Sequence, residues 1–397
     1  MSPNPLDNVG DTVTILRNLG KALWSWESCA AAPLHQPCAS KLCSCQRDGL
    51  LSRYHQYYAA LVLAYVGETT ISSRLIKTHE ELFRAIAKLK SYPETTRARF
   101  GELAFPQPDD DVKVAQHDPV QIARAVSLVV KVMLMLEPSP IHLDASDRVE
   151  SGSFKTGWGS DVPFSQYVQS VFPVRDHPVL SHTDNERFSE MRWNLRAVKL
   201  RELGVIFRPT DDIQNHLRFS RKDNILEVFH HTAFLKEQLR ATKTGGPHFS
   251  DPSTSIAAGS LPRQLVLEVL DSIQAVLFPL SDKRSKVLLR SLVRSCSFDP
   301  DVLNFEFRSI RNHEEEKVGF VYLADRLSDL HNELESPPPR GWFEHMIERK
   351  SGARYMMMAT LIGVGFAVTL GLLSLAVSSY QTWITYQAWQ HPRSPGS

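Results

Sequence analysis

Residues 356–379, MMMATLIGVGFAVTLGLLSLAVSS, form an apolar run, and no Asp, Glu, Lys or Arg occurs between Arg354 and Arg393. A helix rises 1.5 Å per residue, so about 20 apolar residues cross a hydrocarbon layer of roughly 30 Å. Inside lipid the backbone must satisfy its own hydrogen bonds, which leaves a single span only the helix. Core helices of soluble domains seldom run so long without a charge. The run is therefore expected to be one transmembrane helix near the C-terminus.

Its flanks point the same way. Arg340, Arg349, Lys350 and Arg354 precede the run, while only Arg393 and His391 follow it. By the positive-inside rule the N-terminal bulk is expected in the cytosol, with residues 380–397 as a short tail across the membrane. Tyr380, Trp383, Tyr386 and Trp389 recur every third residue of that tail, and Tyr355 stands ahead of the run. Amphipathic rings of this kind settle at the headgroup level, so these residues, with Arg349, Lys350 and Arg354, mark the expected membrane interface. So short a tail implies insertion after synthesis ends. The length of the span and its nearly uncharged tail lean toward the endoplasmic reticulum and secretory membranes over mitochondria. Within the span, Ala359, Gly363, Ala367 and Gly371 fall four residues apart on one stripe. Two helix backbones can approach closely there, so a second copy or a partner helix is a candidate occupant; Gly and Ala are also simply frequent in membrane helices.

The chain has 397 residues, with Lys plus Arg at 45 and Asp plus Glu at 44. So even a balance provides no bulk field for nucleic acid or acidic lipid. Hydrophobic content of 42% fits a packed globule rather than a disordered chain. The first twenty residues carry acids early and lack a long apolar run, so no signal peptide is expected.

Periodicity and breakers divide the rest. Residues 1–49 hold a helix over 11–28, interrupted by Gly20, and a cysteine-rich loop. Residues 50–136 form a helical region: a buried helix over 54–66, an amphipathic helix over 72–91 with Leu75, Leu82, Ile86 and Leu89 inward, and an apolar helix over 120–136 with Met133 and Met135 filling the core. Residues 137–163 read as a loop. Residues 164–244 form an α+β unit with helices at 164–172, 186–203 (closed by Gly204) and 230–243, a strand at 205–207 stopped by Pro209, a cap at Asp211 and Asp212, and a hairpin of 217–219 with 225–229. Residues 245–260 read as a linker. Residues 261–335 hold helices at 261–277, 285–295 and 319–334 and a strand within 299–307. The proline run at 337–339 makes 336–354 a stiff spacer. The expected fold class is mainly α with minor α+β content: a helical globular region with a small β-hairpin, then the single span.

Few residues carry recognisable chemistry. Cys29, His35, Cys38, Cys43 and Cys45 crowd one segment. Zinc takes such ligands, yet the Cys-x2-Cys knuckle is missing, so incidental thiols in an irregular loop fit the spacing better than a metal, acylation or redox site. Asp109, Asp110 and Asp111 read as solvated carboxylates, as does the run Glu314 to Glu316. His230 and His231, with His216 near, are the best histidine group, but neighbours on a strand point to opposite faces. Phosphate loops, dinucleotide fingerprints, nucleophile elbows and His-Glu-x-x-His pairs are missing, and no cofactor is expected. A winged-helix reading of 186–229 would use Arg192, Arg196, Lys199, Arg201, Arg218, Arg221 and Lys222 against DNA, or the same cations against anionic lipid; nucleic acid is the weaker partner for a neutral chain with a span.

The strings IARAVSLVVKVMLML, LGVIFRPTDDIQNHLRFSRKDNILEVFHHTAFLKEQL and RKSGARYMMMATLIGVGFAVTLGLLSLAVSSYQTW resemble an uncharacterised family of filamentous-fungal proteins with one C-terminal membrane helix. The likeness covers about residues 50–390. It implies the architecture above and, since that family has no assigned activity, no functional residues. The expected role is a C-terminally anchored adaptor or scaffold facing the cytosol, with a tethered enzyme built from scattered residues as the alternative.

Overall fold

In the computed structural model, residues 5–6, 12–27, 43–70, 73–106, 118–138, 156–181, 186–243, 251–295, 298–315, 319–335 and 354–390 are described. They fall into two units, 1–335 and 336–397.

In the first unit, α1 (Thr12–Trp24) turns Ile15, Leu19 and Leu23 into the core. Gly20 is a packing position rather than an interruption: a Cβ there would lie 2.3 Å from the Trp26 ring. After α2 (Ser44–Leu50), α3 (Ser52–Glu68) buries only one face, through Tyr54, Tyr58, Val62 and Tyr65. The next helix, α4 (His79–Ser91), starts later than its apolar pattern suggests. Thr78 and Glu81 close a reciprocal capping box, which fixes the first turn there and leaves Leu75 on the approach. A short α5 (Arg97–Ala104) follows its Thr96 cap. The apolar helix α6 (Pro119–Leu134) has an Asp118 cap and Pro at its first turn, and it ends at Met135 in the left-handed region. Met133 and Met135 are both fully buried, as expected.

The segment expected as one helix over 186–203 breaks at Leu195–Arg196. The helices α7 (Phe164–Val171), α8 (Glu186–Asn194) and α9 (Ala197–Glu202) precede the sheet, and Gly204 at φ +82° closes α9 as anticipated. Three short strands follow, β1 (Ile206–Thr210), β2 (Phe219–Ser220) and β3 (Ile225–Phe229), in the order β1-β3-β2. The β2–β3 pair is the expected antiparallel hairpin; β1 adds to it in parallel. Pro209 does not stop β1, because an edge strand has a side that needs no donor.

Next comes α10 (Thr232–Ala241), whose positions 232–239 are all buried. It packs Phe234 against Trp24 and Tyr54 while carrying Lys236, Glu237 and Gln238 inside. The supposed linker contains α11 (Pro252–Ala257), capped by Asp251, with Ser255 and Ile256 buried. Then α12 (Arg263–Asp271) runs into a π-helical turn, Ser272–Leu277, followed by α13 (Lys283–Ser295). No strand forms within 299–307: Asp299 caps a 3₁₀ turn at Pro300–Leu303 instead. The last helix of the unit, α14 (Ala324–Glu335), begins where Val321, Tyr322 and Leu323 donate their N–H groups to the buried Glu268 carboxylate at 2.8–2.9 Å. One apolar cluster joins elements from Leu6 to Leu330, so the regions distinguished by composition share a single core.

The second unit holds one described element, α15 (Arg354–Gln390). Its stretch Leu361–Gln387 is long and apolar enough to cross a membrane, and none of it is buried. The helix continues through Tyr380, Trp383 and Tyr386, so the aromatic tail is an extension of the span rather than a separate segment. The protein is mainly α-helical, with a small three-stranded sheet and one C-terminal apolar helix.

Candidate functional site

Parallel pairing places Thr210 opposite Phe229, so the residues leaving the same ends of β1 and β3 meet. Those residues are Asp211 on one side and His230–His231 on the other. Strand alternation does not keep the two histidines apart, because β3 ends at Phe229 and both lie beyond it. Their Nε2 atoms converge on one oxygen, Asp211 Oδ1, at 3.1 Å from His230 and 2.7 Å from His231, with ring centroids 4.1 Å apart. Both imidazoles are buried, whereas the Asp211 side chain is 57% exposed.

Neighbouring groups fix the protons. The Asp299 N–H donates to His230 Nδ1 at 3.0 Å, so that nitrogen carries no hydrogen and Nε2 donates to Asp211. The bonds from His230 and His231 hold the Asp211 carboxyl well below the usual carboxylate range. Burial, partly opposed by the Asp211 bond, pushes His231 down to about 4. At neutral pH the group is thus a carboxylate gripped by two neutral imidazoles.

Its three ligand atoms lie within 4.8 Å of one another, close enough for a cation. The surrounding bonds oppose that use. Metal-bound histidines normally donate from their other ring nitrogen. Here His230 Nδ1 already accepts from a backbone N–H, and His231 Nδ1 is buried with no acceptor to donate to. The Tyr57 ring lies 5.8 Å from that of His231, and burial, reinforced by Asp212 and Asp211, raises its hydroxyl well above the usual tyrosine value. It stays protonated and is no nucleophile. The chemistry at hand is a clasp that ties β1, β3 and the start of α10 together.

Behind the clasp runs a buried ionic chain. Asp299 Oδ1 accepts the Asp301 N–H at 3.0 Å, and Lys236 meets Asp301 Oδ2 at 2.6 Å. Lys236 is 1% exposed and Asp301 3%, and the lysine also donates to Asn304 O at 2.6 Å. Glu237 next to it accepts from Trp26 Nε1 at 3.1 Å and Arg47 at 2.7 Å. Sequence reasoning missed Asp211, Lys236 and Glu237 as centres of anything. No local signal marked Lys236 and Glu237, since TAFLKEQLRA reads as an ordinary amphipathic helix with its charges in water.

The residues singled out from sequence fall elsewhere. Cys29, His35 and Cys38 lie outside the described residues, as do Asp109 to Asp111, Arg349 and Lys350. Cys43 is half-buried just ahead of α2 and in no disulfide, and Cys45 lies within α2. Arg354 and Tyr355 open α15, which also carries Ala359, Gly363, Ala367 and Gly371. A Cβ at Gly363 or Gly371 would meet nothing within 4 Å. Tyr380, Trp383, Tyr386 and Trp389 are exposed, with the first two rings stacked 6.2 Å apart. Glu315 is not a solvated charge. It grips the buried Arg263 through two bonds of 2.6 and 2.7 Å. The supposed basic face of 186–229 is divided: Arg192 donates inward to Ala275 O at 3.0 Å, and Arg221 pairs with Glu333 at 2.9 Å.

No family model, curated protein or solved structure matches the chain.

Proposed function

We propose that this chain is a C-terminally anchored single-pass membrane protein whose folded unit faces the cytosol and acts as an adaptor or scaffold. The observation that supports the anchor is the fully exposed apolar stretch Leu361–Gln387, none of which is buried. Such a surface leaves water only in lipid or against other helices. Orientation rests on Arg340, Arg349, Lys350 and Arg354 against the single Arg393 beyond. An endoplasmic-reticulum or secretory membrane fits the span length, and a second copy or partner helix fits the Gly363–Gly371 stripe. The resemblance to the fungal family brings the same architecture and no activity.

Binding is preferred over catalysis because the one cluster of three histidine and carboxylate groups among the described residues is closed by its own hydrogen bonds. The tethered-enzyme reading rests on the unpartnered His231 Nδ1 beside an exposed carboxylate. Protease added to sealed microsomes tests the orientation. Digestion of residues 1–335 with a small protected C-terminal fragment is the expected pattern; protection of the whole folded unit would reverse it.

A further inference from the structure

The charges of this nearly neutral chain are unevenly placed. Residues 193–203 and 280–295 hold eight cations and two acids, a local surplus of six in a chain whose net charge is +1. Five of the cations, Lys283, Arg284, Lys286, Arg290 and Arg294, lie on α13, which has no acid at all. The two acids are already engaged: Glu202 pairs with Arg284 at 2.8 Å, and Asp282 accepts the Arg284 N–H at 3.0 Å and the Ser285 hydroxyl at 2.6 Å. No carboxylate among the described residues pairs with Arg201, Lys283, Lys286, Arg290 or Arg294.

Apolar side chains stand among these cations. Helices α9 and α13 border an open groove of about 530 Å³, floored by Val198, Val287 and Leu288 and rimmed by Arg201, Lys283 and Arg284. Val287 is 63% exposed and Leu280 56%. Trp193 is 54% exposed, with the Arg196 guanidinium stacked 3.5 Å from its ring centroid. The inward side of α13 is occupied by Ser285, Leu289 and Leu292, so the outward residues are surplus to the core.

We infer that this face, α13 with the adjoining α9, docks on an anionic lipid surface. A nucleic-acid strand would use the cations, and could stack a base on Trp193, but has no use for the exposed aliphatic Val287 and Leu280 between them. A headgroup layer uses both, because apolar tips and aromatic rings enter the acyl boundary while Lys and Arg stems carry their charges back to the phosphates. The inference rests on the membrane-anchor reading, which keeps a bilayer surface tethered to the folded unit. Each cation at an anionic surface strengthens association roughly fivefold.

Hydrogen exchange of the full-length protein in nanodiscs tests it, with phosphatidylcholine discs compared with phosphatidylcholine–phosphatidylserine discs. Exchange over residues 283–295 is expected to slow by about fivefold or more in the anionic discs, and Arg290→Glu with Arg294→Glu to abolish that slowing. Unchanged exchange over 232–241 shows that the variant remains folded. Equal rates over 283–295 in both discs, or slowing that survives the double reversal, overturns the inference. So does protection produced in neutral discs by an RNA oligonucleotide or an acidic peptide while anionic lipid gives none. Residues 361–387 report the anchor separately: if they exchange freely in both discs, it is the anchor reading that fails.

Discussion

Replacing Lys236 by Met keeps the length of the stem and removes only the charge, which isolates the worth of the buried ion pair. The ammonium donates to Asp301 Oδ2 and Asn304 O, both at 2.6 Å. Without it, Asp301 keeps the Thr232 hydroxyl at 2.8 Å and the Asn304 amide at 3.3 Å, but no cation. A surface pair would cost about 0–1 kcal/mol to break. Orphaning a buried charge costs about 3–5 kcal/mol, a large share of the roughly 5–15 kcal/mol that stabilises a domain. Lys236→Met combined with Asp301→Leu removes both charges and should recover at least half of the loss. The pH dependence carries a second signature. Asp299, beside the pair, is pushed up to about 6 by burial and by the Asp301 charge. A carboxyl raised in the folded state contributes stability that is present below its unfolded value and lost as pH rises through the folded one. Losing Lys236 raises Asp299 further, so the variant's deficit against wild type should be largest near pH 8 and shrink toward pH 5. Chemical denaturation in mild detergent, followed by tryptophan fluorescence, reads both effects, since Trp24 packs 5.7 Å from Phe234 on the same helix. A deficit below about 1 kcal/mol, or one constant across that range, would refute the reasoning.

Acid should destabilise the wild type through His216 and His231, which burial holds down at about 3 and about 4. A depressed histidine contributes stability that is present above about 6.5 and lost as pH falls toward the folded value, about 2 kcal/mol each at pH 5; His216→Asn should flatten the slope of stability between pH 6.5 and 4. Gly259→Ala should cost at least about 2 kcal/mol, because Gly259 sits at φ +77° with Leu23 O 2.1 Å from where the Cβ would be; a melting temperature unchanged from wild type would contradict that. Gly363→Ile with Gly371→Ile should abolish self-association of the full-length chain in a cross-linking assay while leaving insertion intact.

What was legible in the sequence was local. The run at 356–379 needs only composition and length to be read as a helix, and Gly204 and Asp212 act within a few residues of themselves as caps. Local features also misled: the Gly, Pro and Ser of 245–260 outweighed Asp251–Pro252, which start α11, and the apolar pattern over 72–91 hid the capping box at Thr78. The clasp was out of reach for a different reason. Asp211 meets His230 only because β1 pairs in parallel with β3, past the intervening β2, a register that no periodicity encodes. Lys236 and Glu237 look like the solvated side of an amphipathic helix until partners 65 and 190 residues away enclose them. Buried charge is written in pairs of distant positions, and one sequence shows each position alone.

The anchor is tested most directly by cutting the chain after Glu335, at the boundary between the two units, and comparing it with the full-length protein in an alkaline-carbonate wash of cell membranes. The full-length protein should stay in the membrane pellet, while the fragment, which keeps the whole apolar cluster from Leu6 to Leu330, should move to the supernatant. Release of the full-length protein by carbonate, or retention of the fragment after the wash, would contradict anchoring by α15.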